Sequence, residues 1–377
     1  MPRRKAAEIV GALLTLVGQF AGAEATARGT SAVGPPLETV KAFSDDFRLV
    51  GIGVSHRGRV FATAPASNFR SVYSVIEVDP NTGAVTPYPD LAWNTFSDQA
   101  NGKPQWISVQ ALWVDQADHL WALDSSLPDL DQKNLPPKLV EFDLSANKMI
   151  RRYTFNGVVT PKDSLNDVRI DLGHGFAYLT NIGSKGSLLV LNLKTGDSRQ
   201  VLIGDRSTFA DPRQHLMIGQ EIALRTDGSV PAINADGIAL SPELRWLYYR
   251  PLTDHNYWRV PTSALRDTKM APAELAKKVE YLGSSVLSGG LIMDRKGTLY
   301  GGDLEHGTVV ALTITPGSHT VKSKVFVSDP RKLSWADGFA ISGGYLYIAD
   351  SHLWEVAFKN NLPRSGPFTI FKVKLPD

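Results

Sequence analysis

The chain has 377 residues, 43% of them hydrophobic, a formal net charge of +2 and no cysteine. That length allows a sizeable core in one large repeat domain or in two ordinary ones. The missing cysteine excludes disulfides, thiolate nucleophiles and cysteine-bearing zinc sites, and the lack of a basic block beyond the first few residues gives nucleic-acid binding no support.

The N-terminus reads as a secretory signal over 1–23. Arg3, Arg4 and Lys5 come first, then the apolar run Ile9 to Val17, then Ala21-Gly-Ala23 as a small-x-small cleavage site. Cleavage there removes three basic residues and Glu8, which takes the charge from +2 to 0. No later apolar run is long enough to span a bilayer. The expectation is a secreted or periplasmic protein with no stable membrane insertion. Residues 24–44 are small, polar and proline-containing, an N-terminal arm or linker.

From residue 45 onward the chain repeats one grammar: strand, turn, strand, loop, strand. The first unit has Arg48-Leu-Val-Gly-Ile-Gly-Val-Ser55, then Arg59 to Thr63, then Tyr73 to Asp79. The second has Val109 to Asp115, His119 to Asp124 and Lys138 to Asp143, with Lys148 to Tyr153 as an outer strand. The third runs through Asn166 to Asp171, Phe176 to Thr180, Ser187 to Asn192 and Ser198 to Leu202. A long insertion follows, from Asp205 to Val230, over one rim. The fourth unit, Asn234 to Pro261, carries a helical tail toward Lys278. The fifth spans Ser288 to Ser328. The sixth has Phe339 to Ser342, Tyr345 to Asp350 and Leu353 to Val356, and Phe368 to Val373 is a last strand.

Repeats of this kind predict an all-β, six-bladed β-propeller with four-stranded antiparallel blades around a central channel, one domain over 45–377. The count becomes five or seven if the first or the insertion-bearing unit divides differently, and a two-domain sandwich is the plainer alternative. Ring closure can draw a strand from the N-terminal arm into the last unit, which protects sheet edges without disulfides.

Several stretches resemble the major royal jelly protein/yellow family: Gln110-Ala-Leu-Trp-Val-Asp115, Asn234-Ala-Asp-Gly-Ile-Ala-Leu-Ser-Pro242, Leu247-Tyr-Tyr-Arg-Pro-Leu252, Tyr257 to Leu265 and Ser334-Trp-Ala-Asp-Gly338. The resemblance covers about 45–375 and, with a cysteine-free chain, looks like a bacterial member. It implies a six-bladed, usually exported propeller. Family members range from pigment-pathway proteins to nutritive secretions and salivary amine binders, so it implies no single activity. The architecture is also similar to that of gluconolactonase-type propellers, which hydrolyse lactones at a central divalent metal.

In a propeller, residues just before an innermost strand ring the mouth of the channel. Asn166, Asp167, Asn234, Asp236 and Asp337 hold such positions, and Ser288 and Gly289 hold the analogous place in the fifth unit. Carboxylates and amides there can hold Ca²⁺ or another divalent cation through hard oxygen atoms, with Asn166, Asp236 and Asp337 as the metal set. They can instead hold an ammonium group, or one carboxylate can act as a general base on a captured water. The plainer reading is turn capping, which Asp and Asn often perform. A lactonase-type site would need a Glu at the first-unit position, where this chain has Leu49-Val-Gly-Ile-Gly53.

Trp106, Trp113, Phe209, Trp335 and Phe339 lie near strand starts or in loops, where an aromatic wall beside a carboxylate would suit an aromatic amine. Packing between blades is their plainer role. No histidine spacing matches a zinc motif, and His215 in the insertion is the best single acid/base candidate. Three functions stand open. The first is an exported monomer binding a small aromatic or cationic molecule, with Asn166, Asp167, Asn234, Asp236, Asp337, Phe209 and Trp335 as its contacts. The second is a metal-assisted lactone hydrolase or dopachrome-type isomerase in the same cavity. The third is a non-catalytic protein-interaction scaffold.

Overall fold

The computed structural model describes residues 31–66, 70–98, 104–131, 134–155, 157–315, 317–353, 357–358 and 367–376. The signal read at 1–23 lies outside them. Six four-stranded antiparallel sheets follow one another along the chain. Blade one covers 52–87, blade two 109–154, blade three 165–201, blade four 235–284 and blade five 291–328. In each, strands pair in chain order from the axis outward.

Blade six is made from both ends of the described chain. Its inner three strands are Ala336–Ser342, Tyr345–Asp350 and Phe368–Lys374, and its outermost is Glu38–Phe43. That last strand comes from the stretch read as an arm. The third-strand position expected at Leu353 to Val356, part of which lies outside the described residues, is taken by Phe368–Lys374. Ser342 Oγ donates to Ser55 O and Lys41 Nζ to Gly83 O, so blade six is tied to blade one.

Strand alternation builds the walls between blades. In Trp246–Pro251, Leu247 and Tyr249 pack toward blade three while Tyr248 packs toward blade five. Every neighbouring pair of blades shares one apolar cluster of this kind. The cores are therefore six radial wedges, and the axis is left for polar groups. The turn after the inner strand is capped in a repeated way. Asp115 Oδ1 accepts from the N–H groups of Ala117 and His119, and Asp294 Oδ1 from those of Lys296 and Thr298. Ser241 Oγ does the same for Arg245 and Trp246.

The insertion forms turns and a short hairpin, Met217–Ile218 with Glu221–Ile222. The tail of blade four contains two short helices, Thr262–Arg266 and Pro272–Ala276, as its sequence suggested. Among the described residues no helix is long and apolar enough to cross a membrane.

The closing strand is held by packing as well as by its ladder. Phe43 is buried, with its ring 4.8 Å from that of Phe47, whereas Glu38 forms only a surface pair with Lys372 at 3.3 Å. Phe43→Ala is expected to lower unfolding free energy by about 3 kcal/mol. Glu38→Ala should cost less than about 1 kcal/mol. Urea denaturation of the two variants checks this, and equal costs would contradict it.

Candidate functional site

Four inner strands carry one extra residue near their start. The second strand pairs Leu165 with Asn181 and then Val168 with Leu179, so three residues of blade three face two. The same slip falls between Val109 and Ala111, between Ala235 and Ile238, and between Ala336 and Gly338. A β-bulge redirects the side chains beside it. The residues at these four bulges are Gln110, Asn166 with Asp167, Asp236 with Gly237, and Asp337.

All four bulges open onto one axial cavity of about 40 Å³. Gln110, Asn166, Asp167, Arg169, Asp236 and Asp337 supply its polar lining. Blade one contributes Val50, Gly51 and Ile52, and blade five contributes Gly290. The space suits about two or three water molecules, or one compact charged group. Glycine at blade five is required by close approach: a side chain at Gly289 would overlap Asp337 Oδ1, and one at Gly290 would overlap the Asp337 carbonyl.

Threonines on the second strands satisfy the bulged backbone. Thr180 Oγ1 accepts from Asp167 N at 3.1 Å and donates to Asp236 O at 2.8 Å, which links the bulges of blades three and four. Thr63 repeats the device between Gly51 N at 3.0 Å and Gln110 O at a longer 3.4 Å.

Two buried guanidinium groups oppose the three carboxylates. Arg169 donates to Asp167 Oδ1 at 2.8 Å, to Val168 O and to Leu291 O at 2.6 Å, and its guanidinium lies 4.5 Å from the Trp113 ring. Arg250 is fully buried and donates to Ser288 O and Asp254 O. The carboxylates keep a little exposed surface but lie deep among protein atoms. Burial pushes Asp337 up to about 7, helped by the Asp167 charge and opposed by Trp335 and the Gly290 backbone. The Trp335 indole N–H is near enough to favour the charged form yet forms no well-aligned hydrogen bond. Asp236 is raised well above the ordinary range, by burial first and then by Asp337 and Asp167, against Arg250 and Asn166. Asp167 is raised by burial, against Arg169. Burial thus favours the protonated form of each of the three carboxylates.

Of the residues singled out in the sequence, Asn166, Asp167, Asp236 and Asp337 share this cavity, and Phe339 lines it too. Asn234 does not reach it. Its Oδ1 accepts from Ala210 N at 3.0 Å and its Nδ2 donates to Gly183 O at 2.5 Å, so it pins the insertion to blade three. Trp335 is buried under the insertion with Leu216, Leu252 and Phe358. Trp106 is buried between blades one and two, and Trp113 lines a lower stretch of the channel. Phe209 stands at a separate groove on the insertion. The aromatics thus form no single wall, and His215 lies in the insertion, away from the axial lining. Arg169 and Arg250 are what residue-by-residue reading missed. Their signals were a lone cation in the otherwise neutral or acidic strand Leu165–Asp171, and an Arg-Pro ending where other second strands end in Asp124, Asn181 or Asp350.

Among the described residues, only Asp115, His119 and Glu141 bring one ligand atom each within 4.8 Å of one another. Those atoms already have partners. Asp115 accepts from backbone and from Trp121 Nε1, His119 Nδ1 meets Glu141 Oε1 at 2.9 Å, and Arg151 Nε sits 2.8 Å from Glu141 Oε2. This network braces blade two. The proposed metal set Asn166, Asp236 and Asp337 has suitable hard oxygen atoms, but its aspartates with Asp167 are not gathered so tightly.

These features define a six-bladed β-propeller with an acidic cavity at one end of its channel. The chain belongs to the major royal jelly protein family, whose profile matches residues 107–377. It is 27% identical over 260 residues to major royal jelly protein 3 of Apis mellifera, covering 65% of this chain and 45% of that protein. It is 29% identical over 241 residues to protein yellow of Drosophila melanogaster, covering 57% and 42% respectively. The chain thus spans less than half the length of these relatives. Among solved structures, a luciferin-regenerating enzyme superposes with a TM-score of 0.56 at 11% identity, covering 90% of this chain and 95% of that one. A gluconolactonase from Xanthomonas campestris gives 0.52 at 13%, covering 90% and 89%. At such identities these structures show the fold alone.

Two outcomes follow from the geometry. Thr180→Val leaves a buried N–H and a buried carbonyl without partners, so unfolding free energy should fall by about 2 kcal/mol in denaturant titration. A Thr180→Ser variant should recover most of it. For Asp337, the folded-state value is raised above the unfolded one. Its contribution to stability is full below the ordinary carboxylate range and is lost as pH rises through about 7. Asp337→Asn should therefore gain stability relative to wild type between pH 4 and pH 8, by up to about 4 kcal/mol. A pH-independent difference between the two proteins would contradict this.

Proposed function

We propose that the protein is a ligand-binding propeller whose axial cavity takes the cationic head of a small organic amine. One observation carries the reading: Asp167, Asp236 and Asp337, from three different blades, line the same small cavity with Asn166 and Gln110. A cation there offsets the burial and mutual repulsion that disfavour the charged carboxylates. The cavity of about 40 Å³ accepts an ammonium group and leaves the remainder of the ligand over the mouth. Phe339 at the wall suits a ligand with an apolar or aromatic body.

Metal-assisted lactone hydrolysis has less support. Blade one offers Val50, Gly51 and Ile52 to the cavity and no acid. The site is built within one chain, which suits a monomer, and the N-terminal stretch 1–23 suits export.

Isothermal titration with phenethylamine and with 2-phenylethanol tests the proposal. The amine should bind and the alcohol should not. Asp236→Asn and Asp337→Asn should each weaken amine binding at least tenfold. Affinity should fall as pH drops below about 7, because protons on Asp337 compete with the cation. Equal binding of amine and alcohol, or no heat from either, would overturn the reading. Chelator-sensitive opening of a lactone would favour the hydrolase instead.

A further inference from the structure

Phe209 is separated from the axial cavity, and its surroundings have the opposite charge. The insertion folds over the outer part of blade four and leaves a groove of about 560 Å³. That volume lies within the usual range for small-molecule sites. Its walls include Arg206, Phe209, Arg213, Asn256, Trp258 and Tyr281. The Trp258 and Tyr281 rings meet at 4.9 Å, tilted by 52°, and Phe209 keeps 39% of its surface exposed. The exposed Phe209 ring and the half-buried Tyr281 ring give the groove its apolar surface, while Trp258 is buried.

The charges of the groove are unbalanced. Arg213 is paired with Asp211 at 2.7 Å. Arg206 lies over the Trp258 ring at 5.1 Å and has no acidic partner among the described residues. The lining therefore carries one uncompensated positive charge. Trp258 is itself buried, and its Nε1–H has no acceptor among the described residues. Aromatic faces, an unpaired guanidinium and an unmet N–H donor occur together.

We propose that this groove is a second binding site, for a planar aromatic carboxylate. The ring would stack against Phe209 and Tyr281, and the carboxylate would pair with Arg206 through charge-assisted hydrogen bonds. Guanidinium already resting on an indole loses little freedom on pairing. The site is independent of the amine reading, because none of these residues lines the axial cavity.

The test is isothermal titration with 1-naphthoate, using 1-naphthylmethanol as the neutral counterpart. Naphthoate should bind at least tenfold more tightly than the alcohol. Arg206→Ala should remove that advantage, and Phe209→Ala should weaken both compounds severalfold. Both substituted residues are exposed, and thermal melts of the variants check that each is folded. Asp337→Asn, in the axial cavity, should leave naphthoate binding unchanged. Equal affinity for acid and alcohol, undiminished binding by Arg206→Ala, or no binding at millimolar naphthoate would each overturn the proposal.

Discussion

The axial cavity depends on one extra residue in each of four inner strands. A regular strand would send alternate side chains into the two flanking wedges, where only apolar groups are stable. The bulge breaks that alternation at the strand start and turns Gln110, Asn166, Asp167, Asp236 and Asp337 toward the axis. It also strands backbone groups that need partners. Thr63 and Thr180 provide them, and each reaches from its own blade to the next. The same hydrogen bonds link blade one to blade two and blade three to blade four beside the cavity.

Much of the fold was legible because turn chemistry and alternation are local. Asp115, Ser241 and Asp294 cap their turns through backbone N–H groups two to five residues away, which a sequence displays directly. The site was only half legible. Asn234 and Asp236 are two residues apart in equivalent-looking positions, yet one fastens the insertion and the other faces the axis. A bulge placed between Ala235 and Ile238 decides that difference, and no residue pattern announces it. Arg169 and Arg250 were missed for another reason. Their meaning comes from carboxylates and carbonyls on other blades, far away in the chain. Phe209 was grouped with the axial residues but lines a separate groove on the insertion, since nothing in the insertion's sequence fixes where it folds.

Charge separates the two sites. Three buried aspartates line the axis, while the groove on the insertion carries Arg206, without an acidic partner among the described residues, beside aromatic rings. The family relationship supplies the propeller and leaves these sites open to variation, because strand starts and insertions change without disturbing the radial wedges.

Blade six joins Glu38–Phe43 to Phe368–Lys374, two strands separated by most of the chain. Bringing them together carries a loop-closure entropy that hairpin-linked strands do not, which predicts a seam that forms after the other blades. Until it does, Phe368–Lys374 presents a bare row of N–H and C=O groups. The matching strand of a second molecule offers the same ladder and the same phenylalanine. Refolding at high concentration is therefore predicted to set intramolecular sealing against strand exchange between copies, with dilution favouring the closed ring.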